Sequence, residues 1–227
     1  DYWYYGRTEE GKSYGYSCRL PVEEGADPWT APVIPEEGTP EGEEIILDAN
    51  ALAEGKDFFA LGAASISDSG RYLAYSVDFA GDERFELYIK DLESGALLDD
   101  HLKGIFYGAT WALDGRHLFY TTVDDAWRPD RVWLHTLGSA GADTLLLSEP
   151  DERFWLGVDD SRDRTKVLIA SESKQTSEYW LLDVTDPDAG LRVVAPRREG
   201  LEYSVEVGTD GLYIVHNDGA TDFELAV

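Results

Sequence analysis

From Ser65 to Asp100 the hydrophobic residues fall in short runs separated by polar turn residues, and the same pattern returns in weaker form three times before the chain ends. Tyr72 to Val77 and Phe85 to Lys90 are rich in aromatic and β-branched residues, which predicts strands. Asp68-Ser69-Gly70 before the first run and Glu93-Ser94-Gly95 after the second each end in a glycine, which accepts the positive φ of a tight hairpin. The predicted unit is a four-stranded antiparallel meander. Its later copies are Trp111 to Tyr120, Asp159 to Ile169 and Gly208 to Val215, and their hairpin positions Gly70, Gly115, Arg164 and Gly211 lie 45, 49 and 47 residues apart. A period in the forties with four strands per repeat predicts an all-β fold of the β-propeller type. Arg164 interrupts the glycines, so its turn is expected to use different geometry. A β-sandwich with unrelated hairpins is the alternative, but sandwiches show turn signals every 8 to 12 residues without this longer recurrence.

The rest of the chain fits around these repeats. Tyr2 to Tyr5 and Tyr14 to Leu20 predict two strands, read as the inner part of one more blade. Residues 21–44 shift to Pro, Glu and Gly, a composition that predicts an exposed, mobile insert. Glu44 to Asp48 resumes strand character and could finish that blade, and Ala49 to Lys56 predicts a short helix stopped by Gly55. Complete repeats are expected over about 58–100, 105–148 and 153–196, the third with a turn over Asp186 to Gly190. A fourth begins near Leu201 and is cut off in its third strand at Phe223 to Val227. The whole of 1–227 therefore reads as one partial propeller domain of about four to five four-stranded blades. From the start in mid-pattern and the absence of Met, it is expected to be a piece of a longer polypeptide.

Composition narrows the partners. The chain is 43% hydrophobic and 12% aromatic, enough for a real core and against disorder. Nineteen basic against 46 acidic residues give a net charge of -27, which disfavours nucleic acid and anionic membrane and draws in cationic ligands. Cys18 is the only cysteine, which excludes a disulfide framework and a thiol metal site. His101, His117, His135 and His216 show no ligand spacing. No metal or other cofactor is expected, and a reducing cytoplasmic setting is. No hydrophobic run approaches the roughly 20 residues of a membrane span.

The candidate chemistry is sparse. The sequence has no G-x-S-x-G elbow, and the serines at 65, 67 and 69 sit on a predicted strand and in its hairpin turn, not at a strand-to-helix turn. Asp99-Asp100-His101 reads as a solvated turn. Asp124-Asp125 and Asp159-Asp160 read as solvated loop acids, since neither pair has a third ligand at a recognisable spacing. The loops between second and third strands are more informative, because in a propeller they project from one face. They contain Glu83 and Arg84, then Trp127, Arg128 and Arg131, then Lys174 and Glu178, then Asn217 and Asp218. Mixed charges, amides and one Trp are what an interface with specific polar pairing needs. All of these but Trp127 form the candidate interface set, with no catalytic group among them.

Five segments, Tyr2 to Arg19, Leu47 to Gly95, Phe119 to Gly138, Pro150 to Asp183 and Arg192 to Leu225, resemble in order the N-terminal propeller of the oligopeptidase B branch of the prolyl oligopeptidase family of serine peptidases. The resemblance implies a seven-bladed propeller capping an α/β-hydrolase domain, absent from this chain, whose Ser, Asp and His hydrolyse short peptides after Arg or Lys. The propeller would restrict access to small substrates, and the partners would be that hydrolase domain and short basic peptides. None of the family's triad can be carried over. The blade-loop pattern can, at Glu83, Arg84, Arg128, Lys174, Glu178, Asn217 and Asp218. The last loop departs from the family, with Asp222 where Asn is common and Glu224 where a basic residue is common. Two other classes stay open: a free-standing propeller scaffold for protein binding, and a propeller glycosidase. The latter needs carboxylates on inner strands. Leu61 to Ser67 and Ile105 to Ala112 have none, although Trp155 to Asp160 ends in two.

Overall fold

The computed structural model describes residues 1–227 except 24, 28, 36, 37 and 186–189. Each predicted meander forms, because its hydrophobic runs are short and its turns carry the residues a hairpin demands. The first sheet pairs β1 (Tyr2–Arg7), β2 (Tyr16–Pro21) and β3 (Glu44–Asp48) in that order. Next come β4 (Ala60–Ile66), β5 (Tyr72–Asp78), β6 (Phe85–Asp91) and β7 (Leu97–Trp111), then β8 (His117–Val123), β9 (Pro129–Thr136) and β10 (Thr144–Ser148). The third repeat is β11 (Trp155–Asp160), β12 (Lys166–Glu172), β13 (Ser177–Asp183) and β14 (Arg192–Val193). The last sheet is β15 (Tyr203–Val207), β16 (Leu212–His216) and β17 (Glu224–Ala226).

Packing decides between propeller and sandwich. Successive side chains on a strand point to opposite faces. In β5, Leu73, Tyr75 and Val77 pack backward on Ile46, Leu47 and Phe59, while Ala74 packs forward with Ile105 and Leu118. In β8, Leu118 and Tyr120 face backward, and Phe119 faces forward onto Leu156, Val167 and Ile169. In β12, Leu168 continues the series onto Val207. The sheets between the first and the last are therefore buried on both faces between their sequence neighbours, giving four consecutive cores where a sandwich has one. The sheets stack radially, and the fold is a β-propeller.

Several expectations change. The outer strand of the first complete repeat and the inner strand of the second are one 15-residue strand, β7, which bends where Gly104 and Tyr107 take φ of 67° and 59°. That continuity joins two repeats into a seven-stranded sheet. The first sheet is the outer part of its blade, not the inner part. Its β3 leads through a helix into β4 as β10 leads into β11, and Lys90 on the third strand of the next repeat donates to the Ile46 carbonyl at 2.9 Å. The helix, α1 (Ala49–Ala53), is shorter than expected. Asp48 caps it by accepting from Asn50 N and Ala51 N, and Glu54 already has an extended ψ of 125°. Arg164 does not change its turn: with φ of 59° it adopts the left-handed conformation of Gly70 and Gly115. In all three hairpins the first residue's carbonyl accepts from the N–H three positions on, at 2.8, 3.1 and 2.7 Å. It is Gly211 that departs, in a tighter turn where Gly208 N donates to the Gly211 carbonyl at 2.9 Å.

The described residues of 22–43 carry no strand or helix. Glu43 at the end of that segment is nonetheless fully buried, bonded to Arg7 and to the Tyr5 hydroxyl, so the insert is anchored on β1. Of the turn expected over 186–190, only Gly190 lies within the described residues.

Candidate functional site

In each meander the loop between second and third strands opens on the face where the inner strands begin. A carboxylate at the end of the second strand builds the first two of these loops. Asp78, 2% exposed, accepts from Ala80 N, Gly81 N and Glu83 N. Burial alone would raise its carboxyl, and these backbone donors bring it below the usual range. Asp124 accepts from Ala126 N and Arg128 N and from the Arg128 guanidinium, and the Arg128 backbone bond is the main cause of its lowered carboxyl. Asp124 is thus a loop-organising group and not the solvated acid expected. Asn217 does the same work in the last loop, accepting from Glu202 N at 2.9 Å and donating to the Gly200 carbonyl at 3.1 Å.

The eight candidate residues fall into two groups. Glu83 and Arg84 meet the Trp127 loop: the Trp127 indole donates to the Glu83 carbonyl, and Arg84 donates to the Asp124 carbonyl, each at 3.3 Å. Arg128, 6% exposed, is internal. Its guanidinium donates to Asp124 and to the carbonyls of Glu149, Asp151 and Phe154, tying the second repeat to the third. Arg131 is half-exposed beside Asp130 at 3.4 Å. In the second group Lys174 is exposed and Glu178 is mostly buried against Arg197, accepting from its backbone N at 2.9 Å. Asp218 pairs with Arg198 at 2.5 Å on the surface. Arg197 links the groups: it bonds Glu149 and Ser171 and lies over the Phe154 ring at 3.7 Å.

The opposite face carries a cluster that no short-range pattern announces. Asp100 and His101 belong to β7, not to a solvated turn, and alternation sends them to opposite sides of the sheet. His135 Nε2 lies 3.0 Å from Asp100 and its Nδ1 2.8 Å from Asp143, which also accepts from the Tyr120 hydroxyl at 2.6 Å. Burial, then Asp143, raises the Tyr120 phenol. The cluster lines a cleft of about 850 Å³ with Arg116 and residues 137–141. Partners 8 and 35 residues apart give no local signal.

Asp159 and Asp160 end the inner strand β11. Burial, then the neighbouring Asp160 and Glu206 charges, raise the Asp159 carboxyl. The hydroxyls of Ser67 and Ser69 bond each other at 3.1 Å and receive Tyr72 N and Arg71 N, so they cap the hairpin. Among the described residues no group of three metal-ligating side chains converges, and no helix is long and apolar enough to cross a membrane.

With fold and face in view, the comparisons agree. The family description "prolyl oligopeptidase, N-terminal beta-propeller domain" matches residues 1–227, and the chain belongs to that family. It is 35% identical to Protease 2 of Moraxella lacunata, covering 99% of this chain and 31% of that protein. It is 34% identical to dipeptidyl aminopeptidase BI of Pseudoxanthomonas mexicana over the same shares. The solved oligopeptidase B from Trypanosoma brucei, a closed form with covalently bound antipain, superposes with a TM-score of 0.85 at 33% identity, covering 99% of this chain and 30% of that one. The chain thus spans less than a third of the length of these relatives.

Proposed function

We propose that this chain is the substrate-gating propeller of a serine oligopeptidase that hydrolyses short peptides after Arg or Lys in the cytoplasm. The catalytic Ser, Asp and His would belong to an α/β-hydrolase domain of the same polypeptide. The observation that carries the reading is the match of the family's propeller over residues 1–227. The charge supports it: a field of -27 raises the local concentration of cationic peptides. The face bearing Glu83, Arg84, Lys174 and Asp218 would dock on the hydrolase domain through polar pairs able to open and close. Arg128 is left out of that role, since its donors are spent inside the propeller.

The test uses the full-length protein that carries this chain, with chromogenic substrates ending in Arg, Lys or Pro. A free amino-terminal dipeptide is the further arm, because one relative is named a dipeptidyl aminopeptidase. Cleavage after Arg and Lys is expected; preference for Pro or for the free dipeptide would overturn the specificity. For docking, Glu83→Lys and Lys174→Glu should alter the salt dependence of turnover and the opening seen by small-angle scattering. Wild-type behaviour in both would remove this face from the interface.

A further inference from the structure

Four aromatic side chains from two repeats meet at the axial edge of the loop face. Phe106 and Tyr107 stand where β7 enters its inner half, Trp127 in the loop before β9, and Trp155 at the first position of the inner strand β11. Their rings pack edge to face, with centroids 5.1 Å apart for Phe106 and Trp127 and 6.3 Å for Trp127 and Trp155. Phe106 lies 4.7 Å from Tyr107 and 6.4 Å from Trp155. Tyr107 and Trp155 keep 43% and 47% of their surface exposed, which a core cluster would not do.

The backbone holds this group at a cost. Tyr107 and Trp127 both have positive φ, 59° and 63°, in a region that residues with side chains enter rarely. Each is fixed from outside. The buried Ser76 hydroxyl donates to the Tyr107 carbonyl, while Trp127 N donates to the Asp124 carbonyl and its indole to that of Glu83.

The surroundings are acidic. Glu172 stands directly opposite Trp155 in the β11–β12 register, which places the two side chains on one face of the sheet. Asp125 belongs to the same loop as Trp127, while the Asp124 carboxylate there is already bonded to Arg128 and to Ala126 N. The neighbouring cations are Arg84, whose guanidinium donates to the Asp124 carbonyl, and Arg128, whose guanidinium is bonded to the Asp124 carboxylate. Exposed aromatic rings beside a carboxylate such as Glu172 attract a guanidinium or ammonium group through the ring quadrupole and through charge together. A purely apolar partner would not use the carboxylates.

We propose that Tyr107, Trp127 and Trp155, with Glu172, form a binding subsite for an Arg or Lys side chain of a peptide. This rests on the reading that the chain meets short basic peptides. The subsite would hold a cationic residue of the peptide at the propeller's axis.

The probe is the blocked peptide acetyl-Gly-Arg-Gly-Arg amide made from D residues so that it is not cut, with citrulline and norleucine versions of the same length. Binding to the full-length protein is read by calorimetry and tryptophan emission. The Arg peptide should bind about tenfold tighter than the citrulline peptide. Trp155→Leu and Glu172→Gln should each reduce that difference, with Glu172→Gln leaving the aromatic packing in place if the Trp variant unfolds. Equal affinity for the three peptides, or a tenfold difference that survives both substitutions, would overturn the subsite. Arg-selective binding that is lost in both variants supports it even where hydrolysis shows no preference for Arg or Lys, an outcome that sinks the proposed specificity alone.

Discussion

Arg164 Nη1 lies 2.8 Å from Asp68 Oδ1, an ion pair between hairpin turns 96 residues apart that belong to the third and the first complete repeats. Arg164 Nε also lies 3.0 Å from Asp160. The inner hairpins of non-adjacent repeats therefore meet at one mouth of the propeller. Gly115 between them sits close to Ser67 and Ser69. An arginine occupies a turn position that its backbone would prefer to give to glycine, and its guanidinium spans to the turn two repeats back.

Two effects of similar size oppose each other at Arg164. Left-handed backbone costs a non-glycine residue about 1 kcal/mol, and a half-exposed ion pair returns up to about 1 kcal/mol. Arg164→Gly should leave stability within about 1 kcal/mol of wild type. Arg164→Val, which keeps the strain and loses the pair, should destabilise by about 1–2 kcal/mol. Urea denaturation of the two variants checks the balance.

Arg128 is a different case, because its guanidinium is buried. Arg128→Ala strands the Asp124 carboxylate and three carbonyl oxygens, and should cost about 3 kcal/mol or more. Arg128→Lys should recover only part of this, since an ammonium group lacks the planar fork that reaches acceptors from two loops. Thermal unfolding of both variants is the measurement. A loss of activity on charge reversal here would report folding, not docking.

Acid titration should show two opposite signs. Arg153 holds the Asp151 carboxyl down to about 2, and Thr185 with Lys166 does the same for Asp183, against an ordinary 3.8. The folded state keeps these groups ionised where the unfolded chain binds protons. Their contribution is complete above an ordinary carboxylate pKa and lost as pH falls toward about 2. Asp151→Asn and Asp183→Asn should flatten the stability curve in that window. Asp159 is raised, so its ionised form opposes folding, and Asp159→Asn should stabilise the protein at neutral pH. Denaturant midpoints at stepped pH test both.

Ionic strength gives a further check. A net charge of -27 makes the folded chain repel itself, and salt screens that repulsion over about 10 Å at 0.1 M. The unfolding temperature should rise between about 0.05 and 1 M sodium chloride. A fall would mean that ion pairs such as Arg71 with Asp91 outweigh the net repulsion.

By itself the sequence determined the repeat and its strands. Tyr72 to Val77 is apolar at every position but Ser76 because both of its faces are buried, and Asp68-Ser69-Gly70 closes its hairpin through bonds between near neighbours, so both are written in contiguous residues. The candidate loops were legible for the same reason, as polar stretches at a fixed place in each repeat. Tertiary structure alone decided what those residues do. Arg128 and Arg131 look alike in sequence, yet one is buried on carbonyls of the next repeat and the other is half-exposed beside Asp130. His135 meets Asp100 only because adjacent repeats pack face to face, and Trp127 reaches Trp155 only because their repeats share an axial edge. Contacts within a hairpin follow from the order of residues. Those between sheets follow from the angle at which whole blades stack, which no local run of side chains encodes.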